Sequence, residues 1–290
     1  MSILSSRCGT NTSKYFAFSA MEYYFLKMRI SELSNNIREK KTYLCLGLDT
    51  DIEKIPEFLL NFEDPVFEFN KSLIDRLHSK IIAIKINTAF YEARGVEGWI
   101  SLEKTIKYIN DKYPKLFTIA DAKRADIGNT SNMYAKAFFE KMNFDSVTVS
   151  PYMGEDSVSE FLKYDDKYVI ILALTSNKGA KDFQIPNNNY LDVISKSKSW
   201  NHSEKIMYVI GATKTEYFKK IRKIIPESFL LIPGVGSQGG DINDVIKSST
   251  STSNNIIINI SRAIIYASSN EDYLDKAEDV VDNYNNLTNS

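Results

Sequence analysis

The fold is decided by the stretch LFTIADAKRADIGNT, residues 116–130, in which an apolar run leads into a charged turn. Residues 116–120 are typical of a buried strand, and the segment that follows Thr130 is typical of a helix. Because side chains two positions apart on an extended chain face the same side, Asp121 and Lys123 can point into one site. Asp126 lies where the chain turns into the helix. The spacing alone leaves two interpretations open, an active site and a structural ion network.

Compact apolar runs alternate with amphipathic segments of helical length from residue 43 onward. The eight runs are Tyr43–Leu48, Ile81–Ile86, Leu116–Ala120, Ser146–Val149, Tyr168–Leu174, Ile206–Ile210, Phe229–Ile232 and Ile256–Ile260. Continuous Ile, Val and Leu without polar alternation is typical of parallel strands that are buried on both faces. Eight β–α units in about 250 residues predict an α/β fold, a single (β/α)8 TIM barrel, over residues 41–290. Residues 1–40 are predicted to be an N-terminal extension, partly helical. For its first 21 residues two alternatives are open, a poorly ordered leader and a helix that packs on the outside of the domain.

The segments between the runs predict the helices that surround the barrel. The helix candidates are Gly98–Asp111, Thr130–Met142, Gly154–Tyr164, Thr213–Ile224 and Asp272–Asn285. The tract Ser248–Asn255 is rich in Ser, Thr and Asn, which predicts a polar surface loop before the last strand.

Composition excludes several classes of protein. The 290 residues are 43% hydrophobic, enough for a sizeable core, and no apolar run approaches the roughly 18 residues that span a bilayer. A net charge of −1 gives no electrostatic footprint for nucleic acid or an anionic membrane. We therefore predict a soluble protein with neither nucleic acid nor membrane among its partners.

The few cysteines and histidines limit the chemistry further. Cys8 and Cys45 make no disulfide framework, which fits a reducing compartment, and we predict a cytoplasmic location. His78 and His202 lie far apart in polar, helix-like surroundings. No metal site is predicted, and histidine-based triads are set aside.

Polar residues follow the predicted strands where each of them ends. They are Asp49, Lys85 with Asn87, Asp121 with Lys123, Ser150 with Pro151, Thr175 with Ser176 and Asn177, Pro233 with Gly234, and Ser261 with Arg262. In a parallel barrel these strand ends share one rim, where barrel enzymes hold their active sites. The sequence therefore predicts that polar groups scattered over about 210 residues converge in space.

A glycine-rich segment, PGVGSQGG at 233–240, follows the seventh run and contains G-x-G-x-x-G. It is a weak dinucleotide fingerprint, because it does not follow the first strand and no Asp or Glu occurs from Val245 to Asn270. Loops after strands seven and eight of a barrel commonly bind a phosphate. With Arg262 next to it, the segment predicts a phosphate-ester substrate.

Taken together, these motifs resemble the orotidine 5′-phosphate decarboxylase family. DAKRADIGNT at 121–130 resembles its D-x-K-x-x-D-I signature, and IKINTAFY at 84–91 resembles its second-strand lysine motif. VSPYMG at 149–154 and PGVGSQGG at 233–240 resemble two further segments. The match runs in order from about residue 43 to the C-terminus and implies the TIM barrel independently of the strand count.

The resemblance implies decarboxylation of orotidine 5′-phosphate to uridine 5′-phosphate without any cofactor, the last step of pyrimidine nucleotide synthesis. It implies a charged tetrad of Lys85, Asp121, Lys123 and Asp126, in which Lys123 protonates a carbanion at pyrimidine C6. It also implies a homodimer in which Asp126, Ile127 and Thr130 reach into the partner's site.

The resemblance also assigns residues to parts of the substrate. It places Asp49 and Thr130 on the ribose hydroxyls, Ser150 on the pyrimidine amide edge and Arg262 on the phosphate. Pro233 and Gln238 would close over the pyrimidine and the phosphate. The remaining substrate-binding candidates are Asn87, Ile127, Thr175, Gly239 and Ser261.

One departure and two rivals accompany this interpretation. The family usually has glycine before the arginine that follows strand eight, where this chain has Ser261, and a serine keeps the phosphate contact only if its backbone conformation directs its N–H to the phosphate. The nearest rival is a related metal-dependent sugar-phosphate decarboxylase or hexulose-phosphate synthase, which carries an acidic group where this chain has Lys85. The other rival is a catalytically silent barrel that binds a nucleotide and acts as a dimeric scaffold.

Overall fold

The protein is a closed barrel of eight parallel strands that pair in chain order. The structure is a computed structural model that describes residues 30–236, 239–249 and 254–288. The strands are β1 (Leu44–Leu48), β2 (Ala83–Asn87), β3 (Phe117–Arg124), β4 (Ser146–Val149), β5 (Tyr168–Leu174), β6 (Ile206–Ile210), β7 (Leu230–Pro233) and β8 (Ile256–Ile260). The predicted TIM barrel and all eight strands are confirmed. The largest difference is at β3, which continues to Arg124.

Helices follow the strands and cover the outside of the barrel. They are α1 (Ile30–Lys40), α2 (Pro65–Leu77), α3 (Thr88–Glu92), α4 (Gly95–Lys112), α5 (Gly128–Ala135), α6 (Ser159–Leu162), α7 (Ala180–Phe183), α8 (Asn189–Ser197), α9 (Thr215–Ile224), α10 (Ile242–Ser249), α11 (Arg262–Ile265) and α12 (Tyr273–Thr288). None of the helices found among the described residues is long and apolar enough to span a membrane.

The predicted helices are found, with changes at their ends. The segment predicted as Thr130–Met142 is α5, which continues as a π-helical turn over Lys136–Lys141. The segment predicted as Gly154–Tyr164 is shorter than expected, a 3-10 turn over Glu155–Ser157 followed by α6. The predicted loop Ser248–Asn255 was wrong at its start, because Ser248 and Ser249 complete the last turn of α10.

Two apolar layers lie on opposite sides of the strands. Side chains such as Leu46 and Ile84 face outward and pack against the helices. Their neighbours in sequence, such as Cys45 and Ala83, face inward and fill the barrel with Phe117, Ile170, Met207, Phe229 and Ile257. This two-residue alternation decides which side chains reach the interior, and it continues to the rim where the site lies.

Helix α1 closes the floor of the barrel. Leu33 and Ile37 pack in the inner cluster, and the Asn36 side chain donates to the Lys115 carbonyl at 2.7 Å. Lys40 donates from its Nζ to the carbonyl oxygens of His78 and Ile81, both at 2.8 Å. Residues 30–40 are thus part of the barrel's closure. Residues 1–29 lie outside the described residues, so the predicted division into extension and barrel stays a prediction.

Candidate functional site

A cavity of about 390 Å³ opens at the carboxyl ends of the strands, on the side opposite α1. Its volume suits a ligand of nucleotide size. Its wall is apolar at Leu172, Val209, Leu231 and Val235 and polar elsewhere. The polar lining residues are Asp49, Lys85, Asn87, Asp121, Lys123, Thr175, Ser176, Asn177, Asn259, Ser261 and Arg262. The predicted convergence of the strand ends is therefore present.

The inward alternation of the strands explains why these side chains meet. On β8 the apolar Ile257 is followed two positions later by Asn259 and then by Ser261 just after the strand. On β1 the buried Cys45 is followed by Gly47 and Asp49. Strands β1 and β8 thus each place an apolar residue in the interior of the barrel, and their carboxyl ends place polar residues in the cavity above it.

An ion network connects the ends of β1, β2 and β3. The Nζ of Lys85 lies 2.8 Å from Oδ2 of Asp121 and 3.6 Å from Oδ1 of Asp49. The other oxygen of Asp121, Oδ1, accepts from Nζ of Lys123 at 2.6 Å. Lys85 is almost fully buried, whereas the Lys123 side chain is 51% exposed and faces the cavity. One lysine is therefore enclosed by carboxylates, and the other is available to a ligand.

The two carboxylates keep the buried charges in place. Burial alone would lower the pKa of Lys85, but the adjacent Asp121 and Asp49 outweigh it and hold that pKa above its ordinary value. Burial alone would raise the pKa of Asp121, but Lys85 and Lys123 hold it well below its ordinary value. Burial also raises the pKa of the Cys45 thiol to about 12, so this thiol is a neutral part of the interior. Lys85 and Asp121 are therefore both ionised at neutral pH.

The backbone of β3 is irregular where it carries Lys123. Ala120 pairs with Val147 and Arg124 with Val149, so β3 has two more residues than β4 between these pairs. Lys123 lies in this bulge with φ +46°, in the left-handed region that non-glycine residues rarely adopt. The sequence correctly predicted that Asp121 and Lys123 share a site, but the backbone between them is not a regular strand.

The glycine-rich segment forms a tight turn beside the cavity. Gly234 lines the cavity, and Gly236 and Gly239 also have positive φ values, 72° and 86°. The N–H groups of Gly236, Gly239 and Gly240 donate to carbonyl oxygens within the segment, at 2.9–3.1 Å. Asn259, Ser261 and Arg262 are polar residues of the β8 end that line the cavity beside this segment.

Ser261 fits because of two residues that the sequence reasoning missed. A Cβ atom on Gly47 would lie 1.8 Å from the Ser261 hydroxyl oxygen, so only glycine leaves room for this serine. Asn259, which is 7% exposed, donates from Nδ2 to the Ser261 hydroxyl at 3.2 Å. Asn259 is visible in the sequence as the one polar residue of the run Ile256–Ile260, and that was the available signal.

One loop residue, Tyr266, was also missed, whereas Ser176 belongs to the polar stretch predicted at the end of the fifth run. Ser176 lines the cavity after β5, and its carbonyl accepts from Thr213 at 3.0 Å. A Cβ on Gly211 would lie 2.5 Å from the backbone of Ser176, so these loops pack closely. Tyr266 donates to the Asp49 carbonyl at 3.0 Å and accepts from the Asp51 N–H at 2.7 Å, which fixes the loop that carries Asp49. These partners are distant in sequence and carry no local pattern.

Several predicted site residues do not line this cavity. Asp126 accepts the N–H of Ile127 on its Oδ1, and Ile127 is 54% exposed. Thr130 is also exposed, and Ser150 and Gly239 lie outside the set of lining residues. Gln238 lies outside the described residues. Asn87 does line the cavity, and its side chain also caps α3 by accepting the Ala89 N–H at 3.3 Å.

Comparison with known proteins shows the family to which this chain belongs. The family model described as Orotidine 5'-phosphate decarboxylase / HUMPS family matches residues 42–277. A protein of Flavobacterium johnsoniae named orotidine 5′-phosphate decarboxylase is 56% identical over 256 residues, which covers 87% of this chain and 94% of the relative. A protein of the same name from Phocaeicola vulgatus is 54% identical over 251 residues, covering 85% and 92%.

Solved structures agree with the sequence comparison. The OMP decarboxylase of Leishmania donovani matches with a TM-score of 0.73 at 30% identity, covering 91% of this chain and 100% of that structure. The orotidine 5′-monophosphate decarboxylase of Methanocaldococcus jannaschii, solved with the inhibitor BMP, matches with a TM-score of 0.63 at 25% identity. That match covers 86% of this chain and 99% of the other.

Proposed function

Because this chain belongs to the orotidine 5′-phosphate decarboxylase / HUMPS family, we propose that it converts orotidine 5′-phosphate to uridine 5′-phosphate and CO2, the last step of de novo pyrimidine nucleotide synthesis. The observation that carries the proposal is the ion network, in which buried Lys85 and cavity-facing Lys123 share the carboxylate of Asp121. The relatives that are 54–56% identical and carry the decarboxylase name support the same substrate.

The proposed reaction needs no group beyond these side chains. The bond between C6 of the pyrimidine and the carboxylate carbon breaks, and its electron pair stays on C6 as CO2 leaves. The ammonium of Lys123 stabilises the developing carbanion and then transfers a proton to C6. Neutral Lys123 regains its proton from solvent. The exposure of Lys123 to the cavity gives it access to a ligand for this role.

Asp121 and Lys85 have supporting roles in this proposal. Asp121 holds the Lys123 ammonium at 2.6 Å and lies beside the position of the substrate carboxylate, where it raises the energy of the bound substrate. Lys85 keeps Asp121 ionised through its contact of 2.8 Å. At the other end, Arg262 and Ser261 bind the phosphate, and this remote binding energy supports the reaction at C6.

We propose that the site is completed by a second copy of the chain. Ile127 and Thr130 are exposed, Asp126 is half-buried, and none of the three lines its own cavity, which fits residues that serve the partner's cavity. Within one chain, Ser176 lines the cavity, whereas Ser150 does not. The homodimer, the roles of the site residues and the cytoplasmic location stay predictions.

The metal-dependent rival fits the network less well. A cation site at the ends of β1 and β3 would use Asp49 and Asp121 as ligands, but Lys85 lies between these two carboxylates. In the described parts of the chain, no group of three or more His, Cys, Asp or Glu is arranged to hold a metal ion. The silent-scaffold rival has no specific observation in its favour, because the ionised network is intact.

An absorbance assay tests the proposal directly. Purified protein should consume orotidine 5′-phosphate and form uridine 5′-phosphate at the same rate with and without EDTA. A parallel reaction with a 3-keto sugar phosphate and Mg²⁺ tests the metal-dependent rival. Turnover of the sugar phosphate alone, or loss of the nucleotide reaction in EDTA, would contradict the proposed function. Binding of uridine 5′-phosphate without any turnover would favour the scaffold.

A further inference from the structure

The bulge in β3 takes the backbone N–H of Lys123 out of the regular hydrogen bonding between β3 and β4. Regular pairing between β3 and β4 is interrupted between Ala120 and Arg124, so the Lys123 N–H lies outside the regular ladder. Its φ of +46° is a strained conformation for a residue with a Cβ atom. Such a conformation persists only where neighbouring groups determine it strongly.

Thr148 on β4 supplies a hydrogen-bond partner for this N–H. Its Oγ1 accepts the Lys123 N–H at 2.9 Å, in a fully buried position. The same oxygen lies 3.1 Å from Oδ1 of Asp121. Because a hydroxyl carries one hydrogen and the Lys123 N–H is itself a donor, the Thr148 hydrogen is directed to the Asp121 carboxylate.

The consequence is a closed ring of contacts around the reactive lysine. Thr148 binds the backbone of Lys123 directly, and it binds the Lys123 ammonium indirectly through Asp121. Rotation of the Asp121 carboxylate or relaxation of the Lys123 backbone would each break a contact to the same hydroxyl. We propose that Thr148 is a positioning residue, which fixes the strained bulge and so sets where the Lys123 ammonium stands relative to the pyrimidine.

This inference rests on the proposed function for its effect on catalysis, but the geometric part is independent of it. Thr148→Val removes the hydroxyl and keeps the shape of the side chain, whereas Thr148→Ser keeps the hydroxyl. Thr118→Val is a matched control, because Thr118 is equally buried and its hydroxyl also binds one aspartate and one backbone N–H, those of Asp145, away from the cavity.

Steady-state kinetics with orotidine 5′-phosphate should separate positioning from folding. We expect Thr148→Val to lower kcat about 10- to 100-fold with little change in KM, as a misplacement of about 1 Å can do. Thr148→Ser and Thr118→Val should keep kcat within about 3-fold of the unmodified protein, although Thr118→Val should lower Tm. A Thr148→Val kcat within that range, or equal losses in the Val and Ser variants, would overturn the proposal.

Crystal structures decide the geometric part without turnover. In Thr148→Val, or in Thr148→Ala if the valine variant does not fold, Lys123 should leave the left-handed region or lose its contact with Asp121. Unchanged backbone and contacts at Lys123 would refute the positioning role even if the unmodified protein were inactive. Absence of turnover by the unmodified protein would contradict the proposed function alone, since this structural comparison would still test Thr148.

Discussion

Replacement of Asp121 by asparagine should destabilise the folded protein strongly, because Asp121 is the shared partner of two ammonium groups. The substitution leaves Lys85, which is 4% exposed, with only Asp49 at 3.6 Å as an ionic partner. Removal of one member of a buried ion pair costs about 3–5 kcal/mol. We expect the lower end, about 3 kcal/mol of unfolding free energy, since half-exposed Lys123 can turn to solvent. That loss corresponds to a Tm lower by about 6–12 °C.

Urea denaturation at several pH values measures this effect. Asp111→Asn is the control, because Asp111 forms an exposed pair with Lys107 at 3.0 Å, and it should change stability by no more than about 0.5 kcal/mol. The pKa of Asp121 in the folded protein lies below its unfolded value of about 3.9. The ionised Asp121 side chain therefore contributes its full stabilisation of the folded protein above about pH 4, and this stabilisation is lost only as pH falls through the pKa of Asp121 in the folded protein. The unmodified protein and Asp121→Asn should differ clearly in unfolding free energy. A difference below about 1 kcal/mol at pH 7, or a difference that has already disappeared at pH 5, would refute the reasoning.

Three further predictions test the site itself. Lys123→Ala should lower turnover of orotidine 5′-phosphate by about 10²–10⁴-fold with an unchanged circular dichroism spectrum, and substantial retained activity would exclude Lys123 as proton donor. Lys85→Ala and Asp126→Ala, each inactive alone, should regain roughly a quarter of the activity after subunit exchange, whereas no recovery would count against Asp126 acting in the partner's site. Gly47→Ala should displace Ser261 and raise KM about tenfold or more, and Ser261→Gly in the same chain should restore KM if the clash of 1.8 Å is the cause.

The sequence was sufficient to predict the barrel fold, because the pattern that indicates each strand is local and occurs eight times along the chain. The strands are four to eight residues long and mostly apolar, and the alternation of inward and outward side chains follows from strand geometry alone. Once the strands are parallel, their ends must share one rim, so Asp49, Lys85 and Asp121 could be placed together without knowledge of any contact. The errors at element ends, as at Ser248 and Ser249, did not affect that convergence.

The contacts that tune the site could not be predicted in this way. Gly47 and Ser261 meet across the first and last strands, and their fit depends on the register between residues that are more than 200 positions apart. In the sequence, Thr148 is indistinguishable from any other β-branched residue of a buried strand. Its proposed positioning role depends on a bulge in the neighbouring strand. These features are properties of pairing between strands, and a single strand's composition does not carry them.

The bulge at Lys123 distinguishes this lysine from other charged residues without reference to any relative. In the part of the chain that the structure describes, the non-glycine residues with positive φ include three asparagines and His202, types that tolerate this region well. Lys41 also has positive φ, but it lies in an exposed turn after α1, where such strain is easily accommodated. Lys123 alone among these residues combines the strained backbone with a place in a strand and a side chain in the cavity. Backbone strain is retained where function requires it, so the conformation of Lys123 is an independent physical reason to assign it the central role.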